Sequence, residues 1–245
     1  MDVETQANKV ALVFGGSRGI GAAAVTKLAD EGYSVAFTYA SQADKANALV
    51  EAVVKGRGRA CAIQADSADA NALQNAVELT AERFGSIKVV VVNAGVLRIG
   101  TIDVVPIEDL DLSLNVNVRG VFLAIQATLP YLADGARVIT IGSNVAIRTG
   151  FRGSSVYQMT KGAVAALVKG VALDLAPRKI TVNNIQPGPT DTDINAGSIK
   201  ALSDRSPLGR VAAPSEIAGL IAYLASDGAS YITGASLTID GGFTL

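Results

Sequence analysis

The chain has 245 residues, 49% of them hydrophobic and 18% charged, with a formal net charge of −1. This composition is typical of an ordinary globular protein, and the near-zero charge gives no electrostatic reason to expect nucleic acid or an anionic membrane as a partner. Cys61 is the single cysteine and histidine is absent, which excludes an intrachain disulfide and the common zinc frameworks, so no metal is expected.

No segment of the sequence has the character of a targeting or membrane signal. Residues 1–6 are acidic and polar, unlike a signal peptide. No apolar run reaches about 18 residues, the length that a transmembrane helix needs. We therefore expect a cytoplasmic protein.

Short apolar runs alternate with longer helical patterns along the chain. Predicted strands cover residues 10–14, 34–39, 60–64, 89–92, 138–141, 181–185 and 236–239. Predicted helices cover residues 22–31, 45–55, 71–84, 107–132, 155–175 and 214–225. Most strand runs are continuously apolar, which is typical of strands buried on both faces of a parallel sheet. The alternation predicts an α/β, single-domain Rossmann fold, with a doubly wound parallel sheet of about seven strands and helices on both faces.

The whole chain, residues 1–245, is interpreted as one domain because it contains no linker, repeat or low-complexity stretch. Residues 187–208 are the least regular part, with several Pro, Gly, Asp and Ser residues. Long irregular segments inside compact domains are often lids, so this segment is predicted to be a substrate loop.

A glycine-rich segment, residues 15–21, follows the first predicted strand directly and opens the first predicted helix. Its glycines permit a tight turn and a close approach of backbone N–H groups to phosphates, and the helix N-terminus favours negative charge. The position at the first β–α turn is the context that such a motif requires. The segment therefore predicts a dinucleotide site; the alternative is a tight strand–helix turn without a ligand.

The end of the second predicted strand bears on the choice of dinucleotide. An acidic residue there would bind the ribose 2′-hydroxyl of NAD, but residues 38–43 contain no carboxylate, and the first acid is Asp44. Arg18 in the glycine segment offers a guanidinium suited to a 2′-phosphate. The missing acid and the added base favour NADP(H); stacking of Arg18 on adenine is the alternative.

Tyr157 and Lys161 are four residues apart in a predicted helix, so they share one helix face. Without histidine, proton transfer near neutral pH needs another group, and a tyrosine with a lowered pKa is one option. Lowering the pKa of a phenol from ~10 to ~7 takes roughly 4 kcal/mol. A unit charge ~4 Å away supplies about this much at an effective dielectric of ~20. Lys161 is therefore a candidate activator of Tyr157, although such a pair alone is more often an exposed helix face.

Several segments, in order, resemble the short-chain dehydrogenase/reductase family over nearly the whole chain. They are the glycine segment 15–21, Asn93-Ala94-Gly95, residues 117–122, Ser143 with Tyr157 and Lys161, residues 187–192, residues 230–234 and Asp240-Gly241-Gly242. The chain departs from the family pattern at Phe14, Lys88 and Val92, where Thr, Asp and Asn are usual. These departures concern local packing more than chemistry.

The resemblance implies catalytic roles for Asn117, Ser143, Tyr157 and Lys161. Tyr157 would exchange a proton with a carbonyl or alcohol oxygen, which Ser143 would also hydrogen-bond. Lys161 would lower the pKa of the tyrosine and bind the nicotinamide ribose, and Asn117 would help to hold a proton-relaying water. Bracing of a helix kink is the alternative for Asn117.

The resemblance also implies a set of cofactor contacts, to which Tyr157 and Lys161 belong. The others are Gly15, Ser17, Arg18, Gly19 and Ile20 for the phosphates and the adenosine ribose, Ser41 for a 2′-phosphate, Asp66 and Ser67 for adenine, Asn93, Ala94 and Gly95 for the adjoining ribose, and Pro187, Gly188, Thr190 and Thr192 for the nicotinamide side. A solvated turn is the alternative for Thr190.

Substrate contacts in such folds come from loops at the carboxyl ends of the strands. Here these loops, residues 96–101, 144–155 and 189–208, carry an apolar set that suits a hydrophobic ketone: Leu97, Ile99, Val145, Ile147, Phe151 and Ile194. Arg98, Arg148 and Arg152 could bind an anionic substrate group, but the favoured interpretation is that they are loop residues exposed to solvent.

The favoured function is an NADPH-dependent carbonyl reductase or alcohol dehydrogenase that acts on a small ketone or secondary alcohol. One alternative is a 3-oxoacyl-[acyl-carrier-protein] reductase, although residues 132–135 and 171–174 lack the bases expected for docking that acidic partner, and Lys169 is the nearest cation. A second alternative is a non-catalytic nucleotide-binding or redox-sensing regulator, which would not need a tuned phenol. The resemblance also implies a homotetramer or a homodimer, formed partly through helices 107–132 and 155–175.

Overall fold

Seven short, mostly apolar segments pair side by side into one parallel sheet in the computed structural model, which describes residues 9–245. The strands are β1 (Val10–Phe14), β2 (Ser34–Tyr39), β3 (Arg59–Gln64), β4 (Ile87–Val92), β5 (Leu132–Ile141), β6 (Thr181–Pro187) and β7 (Ser236–Ile239). Their order across the sheet is β3-β2-β1-β4-β5-β6-β7. The predicted Rossmann-type fold is thus confirmed, whereas the expectation for residues 1–6 lies outside the described residues.

Helices connect the strands. They are α1 (Gly19–Asp30), α2 (Ala43–Lys55), α3 (Ala70–Phe84), α4 (Ile107–Leu114), α5 (Gly120–Thr128), α6 (Ser155–Leu175), α7 (Ile199–Arg205) and α8 (Pro214–Ala225), with a π-helical segment (Asn115–Arg119) between α4 and α5. Among residues 9–245, no helix combines the length and the apolar character needed to cross a membrane.

The core lies in two layers, one on each face of the sheet, because alternate strand residues point to opposite faces. Leu12 and Phe14 pack with apolar side chains of α3, α5 and α6. Val13 and Phe37 pack on the other face with side chains of α1 and α8. Every residue of β1 is buried, which explains its uninterrupted apolar sequence.

The prediction of one helix over residues 107–132 is wrong in two respects. The helix changes to π-helical hydrogen bonding at Asn115–Arg119, and it ends at Thr128. Pro130 contributes to the end because proline has no N–H to donate to the carbonyl oxygen four residues earlier, although Leu129 before it keeps right-handed helical backbone angles. β5 consequently begins at Leu132 rather than at residue 138, with an irregular pairing to β4 between Ile87 and Val89.

The substrate loop is more regular than predicted. Pro187 is the last residue of β6, and the segment Ala196–Ser198 forms a short 3₁₀ turn that leads into α7. Thr190 forms a β-bridge with Ala212, so the chain entering the segment is paired with the chain that follows it. The irregular part is therefore limited to residues 188–195 and 206–213.

Gly21 occupies a position where a side chain does not fit. A Cβ atom there would lie 2.1 Å from the Gly15 carbonyl oxygen. We expect Gly21→Ala to lower the free energy of unfolding by about 1–3 kcal/mol, the usual cost of overpacking, measured by urea denaturation. Gly219→Ala is the matched control, because in the described chain nothing beyond its own helix backbone and its chain neighbours lies within 4 Å of its Cβ position. It is expected to add up to about 1 kcal/mol of helix stability. Equal stability of the two variants would contradict the packing argument.

Candidate active site

A cavity of about 740 Å³ opens at the carboxyl ends of the central strands. Its walls come from the segments after β4, β5 and β6, from α7 and from residues 242–245. Ligands of open α/β sheets bind outside the carboxyl ends of the strands, where the strand order reverses. In this sheet the reversal falls between β1 and β4, next to the cavity.

The glycine segment is held against the end of β4. Gly15 has a φ of +79°, and a Cβ atom on it would lie 2.8 Å from Ala94 Cα, so glycine is required by conformation and by space. Asn93 Nδ2 donates to the Gly15 carbonyl oxygen at 2.7 Å, and Ala94 N donates to Phe14 O at 2.9 Å. Asn93 and Ala94 therefore fix the shape of the turn that precedes α1.

The first turn of α1 suits an anionic group. Arg18 is its N-cap residue and, within the described chain, no side chain caps its N–H groups and no acid lies in that turn. Uncapped N–H groups and the positive end of the helix dipole favour phosphate. Gly19, which begins the helix, has a φ of +54° and lies against Thr192 of the substrate loop. The turn thus provides the donors that a dinucleotide phosphate requires.

Tyr157 and Lys161 both line the cavity from α6, and Ser143 faces them from the end of β5. Lys161 is 5% exposed, and its Nζ donates to the Ile141 carbonyl oxygen at 2.9 Å. The same Nζ lies 5.6 Å from the centre of the Tyr157 ring. The predicted trio therefore meets in one place.

Burial dominates the protonation of this pair. It raises the pKa of Tyr157 to about 12, against the opposing effect of a hydrogen bond with Ser143. It lowers the pKa of Lys161 to about 8. Desolvation of both groups therefore outweighs the stabilisation that a nearby ammonium would give to an unburied phenolate. The pKa of the Tyr157 phenol is thus raised, and the expected lowering by Lys161 is not seen in this structure.

Asn117 lies behind the cavity, fully buried in the π-helical segment. Its Oδ1 accepts from Val96 N at 2.8 Å, while its Nδ2 donates to Val96 O at 2.8 Å and to Thr160 Oγ1 at 3.2 Å. The side chain therefore joins the π-helical segment to the loop after β4 and to α6. Single-turn π segments occur frequently at functional sites. The water-holding role of Asn117 stays a prediction.

The other predicted cofactor residues divide into two groups. Those that line the cavity are Ile20, Asn93, Gly95, Pro187, Gly188, Thr190 and Thr192. Those that lie outside it, near the ends of β1 to β4, are Gly15, Ser17, Arg18, Gly19, Ser41, Asp66, Ser67 and Ala94. Asp66 Oδ1 accepts from Ala68 N at 2.9 Å and so shapes its own turn. Thr190 is buried, which contradicts the solvated-turn alternative.

Asp240 is an important residue that the sequence analysis missed as a site residue. Its carboxylate accepts from Asn144 Nδ2 at 3.3 Å, from Gly242 N at 3.0 Å, and from the backbone N and Oγ1 of Thr244 at 3.0 and 2.8 Å. These bonds order residues 242–245, which form one wall of the cavity. The Asp-Gly-Gly pattern was recognised only as a family signature, and no local signal places it at the cavity.

The arginines of the substrate loops have different environments. Arg98 pairs with Asp109 at 2.9 Å, and Arg152 does not line the cavity. Arg148 lines it, together with Arg205, whose guanidinium lies 5.0 Å from the ring centre of Phe243. Of the described residues that line the cavity, none is aspartate or glutamate. With Lys161, the cavity therefore has a cationic as well as an apolar character.

The comparisons with known proteins cover almost the entire chain. A family model described as "Enoyl-(Acyl carrier protein) reductase" matches residues 15–244. An uncharacterized oxidoreductase from Methylorubrum extorquens is 41% identical over 241 residues, which cover 96% of this chain and 97% of that protein. A short-chain dehydrogenase/reductase structure from Serratia marcescens has a TM-score of 0.94 and 51% identity, covering 97% of this chain and 98% of its own. A short-chain dehydrogenase from Burkholderia cenocepacia, solved with NADP, has a TM-score of 0.93 and 42% identity, covering 98% and 100%.

Proposed function

Since the chain belongs to the short-chain dehydrogenase/reductase family, we propose that it is an NADP(H)-dependent carbonyl reductase, able to act in reverse as an alcohol dehydrogenase. The observation that carries this proposal is the meeting of Ser143, Tyr157 and Lys161 in one cavity beside the glycine segment. A protein that only binds a nucleotide has no need of a buried phenol and ammonium at the same site. The regulator alternative is therefore the weaker one.

Several features of the chain support NADP(H) as the cofactor. The uncapped start of α1 fits a phosphate. Arg18 and Lys45 place two cations near the end of β2, where NAD enzymes carry an acid. The similar Burkholderia protein was solved with NADP. When bound, the cofactor supplies or accepts the hydride, and the protein provides orientation and proton transfer.

In the proposed reaction the hydroxyl groups of Ser143 and Tyr157 donate hydrogen bonds to the carbonyl oxygen of the ketone. As negative charge develops on that oxygen, Tyr157 gives it a proton. Lys161, held by the Ile141 carbonyl, supports the negative charge left on the phenol. Because its pKa lies at about 8, Lys161 can also release a proton near neutral pH and so restore the tyrosine.

The walls of the cavity favour a small, hydrophobic ketone. Leu97, Ile99, Val145, Phe151 and Ile194 line it as expected, whereas Ile147 does not. Arg148 donates to the Leu245 carbonyl oxygen and Arg205 to the Gly150 carbonyl oxygen, and both add positive charge to a described lining that has no aspartate or glutamate. A ketone with an added carboxylate therefore fits better than one with an added ammonium group.

A 3-oxoacyl-[acyl-carrier-protein] reductase is the second candidate, and it is favoured by a relative of that name from Staphylococcus aureus, which is 37% identical over 239 residues. The two surfaces discussed for docking carry little free positive charge. Near one of them Arg178 is paired with Asp134 at 2.9 Å and also donates to Leu129 O and Leu132 O. A small-molecule ketone remains the preferred substrate.

The homotetramer and the cytoplasmic location also stay proposals.

The proposed function is tested by mixing the purified protein with NADPH and a panel of ketones and following absorbance at 340 nm. We expect turnover of hydrophobic ketones, with a lower KM for a keto acid than for an amino ketone of equal size. A 3-oxoacyl group on carrier protein is expected to react no better than the same group on a small thioester, and the opposite order would favour the second candidate. Tight NADPH binding without turnover of any ketone would support the regulator instead.

A further inference from the structure

Asp193, in the substrate loop between β6 and α7, connects three segments that are distant in sequence. Its Oδ2 accepts from Arg18 Nη1 at 3.1 Å and from Lys45 Nζ at 3.4 Å. Arg18 belongs to the glycine segment and Lys45 to the first turn of α2. The hydrogen bond from Arg18, followed by that from Lys45, lowers the pKa of the Asp193 carboxyl, so the group is ionised at neutral pH.

The two cations lie where the adenosine end of a dinucleotide is expected. Arg18 immediately precedes the uncapped start of α1, and Lys45 follows the end of β2 by a few residues. The side chains of Arg18, Lys45 and Asp193 are 53%, 51% and 56% exposed, so an anion from solvent can reach both cations. The Asp193 carboxylate thus pairs with the same two cations that a 2′-phosphate would bind.

On the premise of the proposed cofactor site, we propose that Asp193 determines cofactor selectivity by competing with the 2′-phosphate of NADP(H) for Arg18 and Lys45. In the free protein the carboxylate pairs both cations and holds the substrate loop beside the glycine segment. The phosphate displaces the carboxylate and releases this part of the loop. NAD(H), without a 2′-phosphate, leaves the ion pairs in place.

The charges and their exposure decide the direction of this exchange. A phosphate monoester carries about −1.5 to −2 charge at pH 7 and three acceptor oxygens, against −1 for a carboxylate. Exposed ion pairs are individually weak, so the phosphate can displace this one at small cost. Thr192 lies next to Gly19, so the loop keeps a non-ionic neighbour in the glycine segment when the ion pairs are lost.

The proposal is tested by calorimetric titration with 2′,5′-ADP and with 5′-ADP, two probes that differ by the 2′-phosphate and lack nicotinamide. We expect Asp193→Asn to bind 2′,5′-ADP about threefold more tightly than the wild type, the size that an exposed ion pair supports, with 5′-ADP unchanged. Lys45→Gln is expected to weaken the binding of 2′,5′-ADP by a similar factor. Asp204→Asn is the control for net charge, because Asp204 pairs with Lys200 on α7 and is expected to leave both affinities unchanged.

Limited trypsin digestion measures the release of the loop, since Lys200, Arg205 and Arg210 lie in or just after it. In the wild type 2′,5′-ADP is expected to speed cleavage at these sites and 5′-ADP is not. Asp193→Asn is expected to be cleaved quickly without any nucleotide. If Asp193→Asn binds 2′,5′-ADP as the wild type does, or more weakly, the competition is refuted while the dinucleotide site stands. If neither probe binds the wild type, the proposed cofactor site is refuted as well.

Discussion

Replacing Tyr157 with phenylalanine is expected to lower kcat by about a thousandfold while changing the NADPH dissociation constant by less than about twofold. The substitution removes the proton donor and keeps the ring, and positioned general acids contribute typically 10²–10⁴ in rate. Single-turnover reduction of the best ketone measures the chemical step, and calorimetry with NADPH measures binding.

Tyr223→Phe is the matched control for this change. The Tyr223 side chain is 48% exposed on α8, and its hydroxyl donates to the Gly228 carbonyl oxygen at 3.4 Å. Loss of this hydroxyl is expected to leave kcat and KM unchanged. A Tyr157→Phe enzyme that keeps more than about a tenth of the wild-type rate would refute Tyr157 as the proton donor.

Replacing Lys161 with methionine is expected to abolish turnover and, at neutral pH, to make the protein more stable. Lowering the pKa from 10.5 to about 8 by burial corresponds to a cost of roughly 3 kcal/mol for keeping the ammonium charged. Methionine removes that cost but also leaves the Ile141 carbonyl without its hydrogen bond, worth about 1–2 kcal/mol. The net expectation is a gain of about 1–2 kcal/mol in the free energy of unfolding.

The pH dependence separates this explanation from a general packing effect. Below pH 8 the lysine is charged in both the folded and the unfolded states, so its full burial cost is present. Between about pH 8 and 10.5 the unfolded chain binds more protons than the folded one, so wild-type stability from this group rises with pH. The advantage of Lys161→Met is therefore expected to shrink across that window in urea denaturation.

Lys169→Met in the same helix is the control for this experiment, because Lys169 is exposed. Substitutions of this kind usually change stability by less than about 0.5 kcal/mol. A Lys161→Met protein that is less stable than the wild type at pH 7, or whose gain is equal at pH 7 and pH 10.5, would contradict the assigned burial cost.

Elements that are set by local sequence pattern were predicted well, and elements that depend on tertiary packing were not. β1 and β2 were predicted with their observed bounds because a strand buried on both faces has an uninterrupted apolar sequence. The predicted helix over 107–132 crossed Pro130, a local signal that was present and overlooked. The π-helical segment has no comparable signal, and the hydrogen bonds of its Asn117 with Val96 join residues that are distant in sequence.

The candidate site shows the same division. Ser143, Tyr157 and Lys161 were identified by residue type and spacing, and the structure brings them to one cavity. The raised phenol pKa was missed because burial is not visible in a motif. The pairing of Asp193 with Arg18 joins residues 175 positions apart, on loops whose approach depends on the whole fold.

The order of strands has a consequence for how such a protein can be changed. The proposed contacts with the adenosine end of the dinucleotide follow the first three strands, whereas the walls of the cavity come mainly from segments after β4, β5 and β6. These two parts of the sheet lie on opposite sides of the β1–β4 boundary. Recombination that exchanges residues 9–67 between relatives is therefore expected to move the proposed adenosine contacts while replacing only Ile20 among the described residues that line the cavity. Asp193 is encoded in one part and acts on the other, and a chimera would keep its preference intact only if that residue moved with its cations.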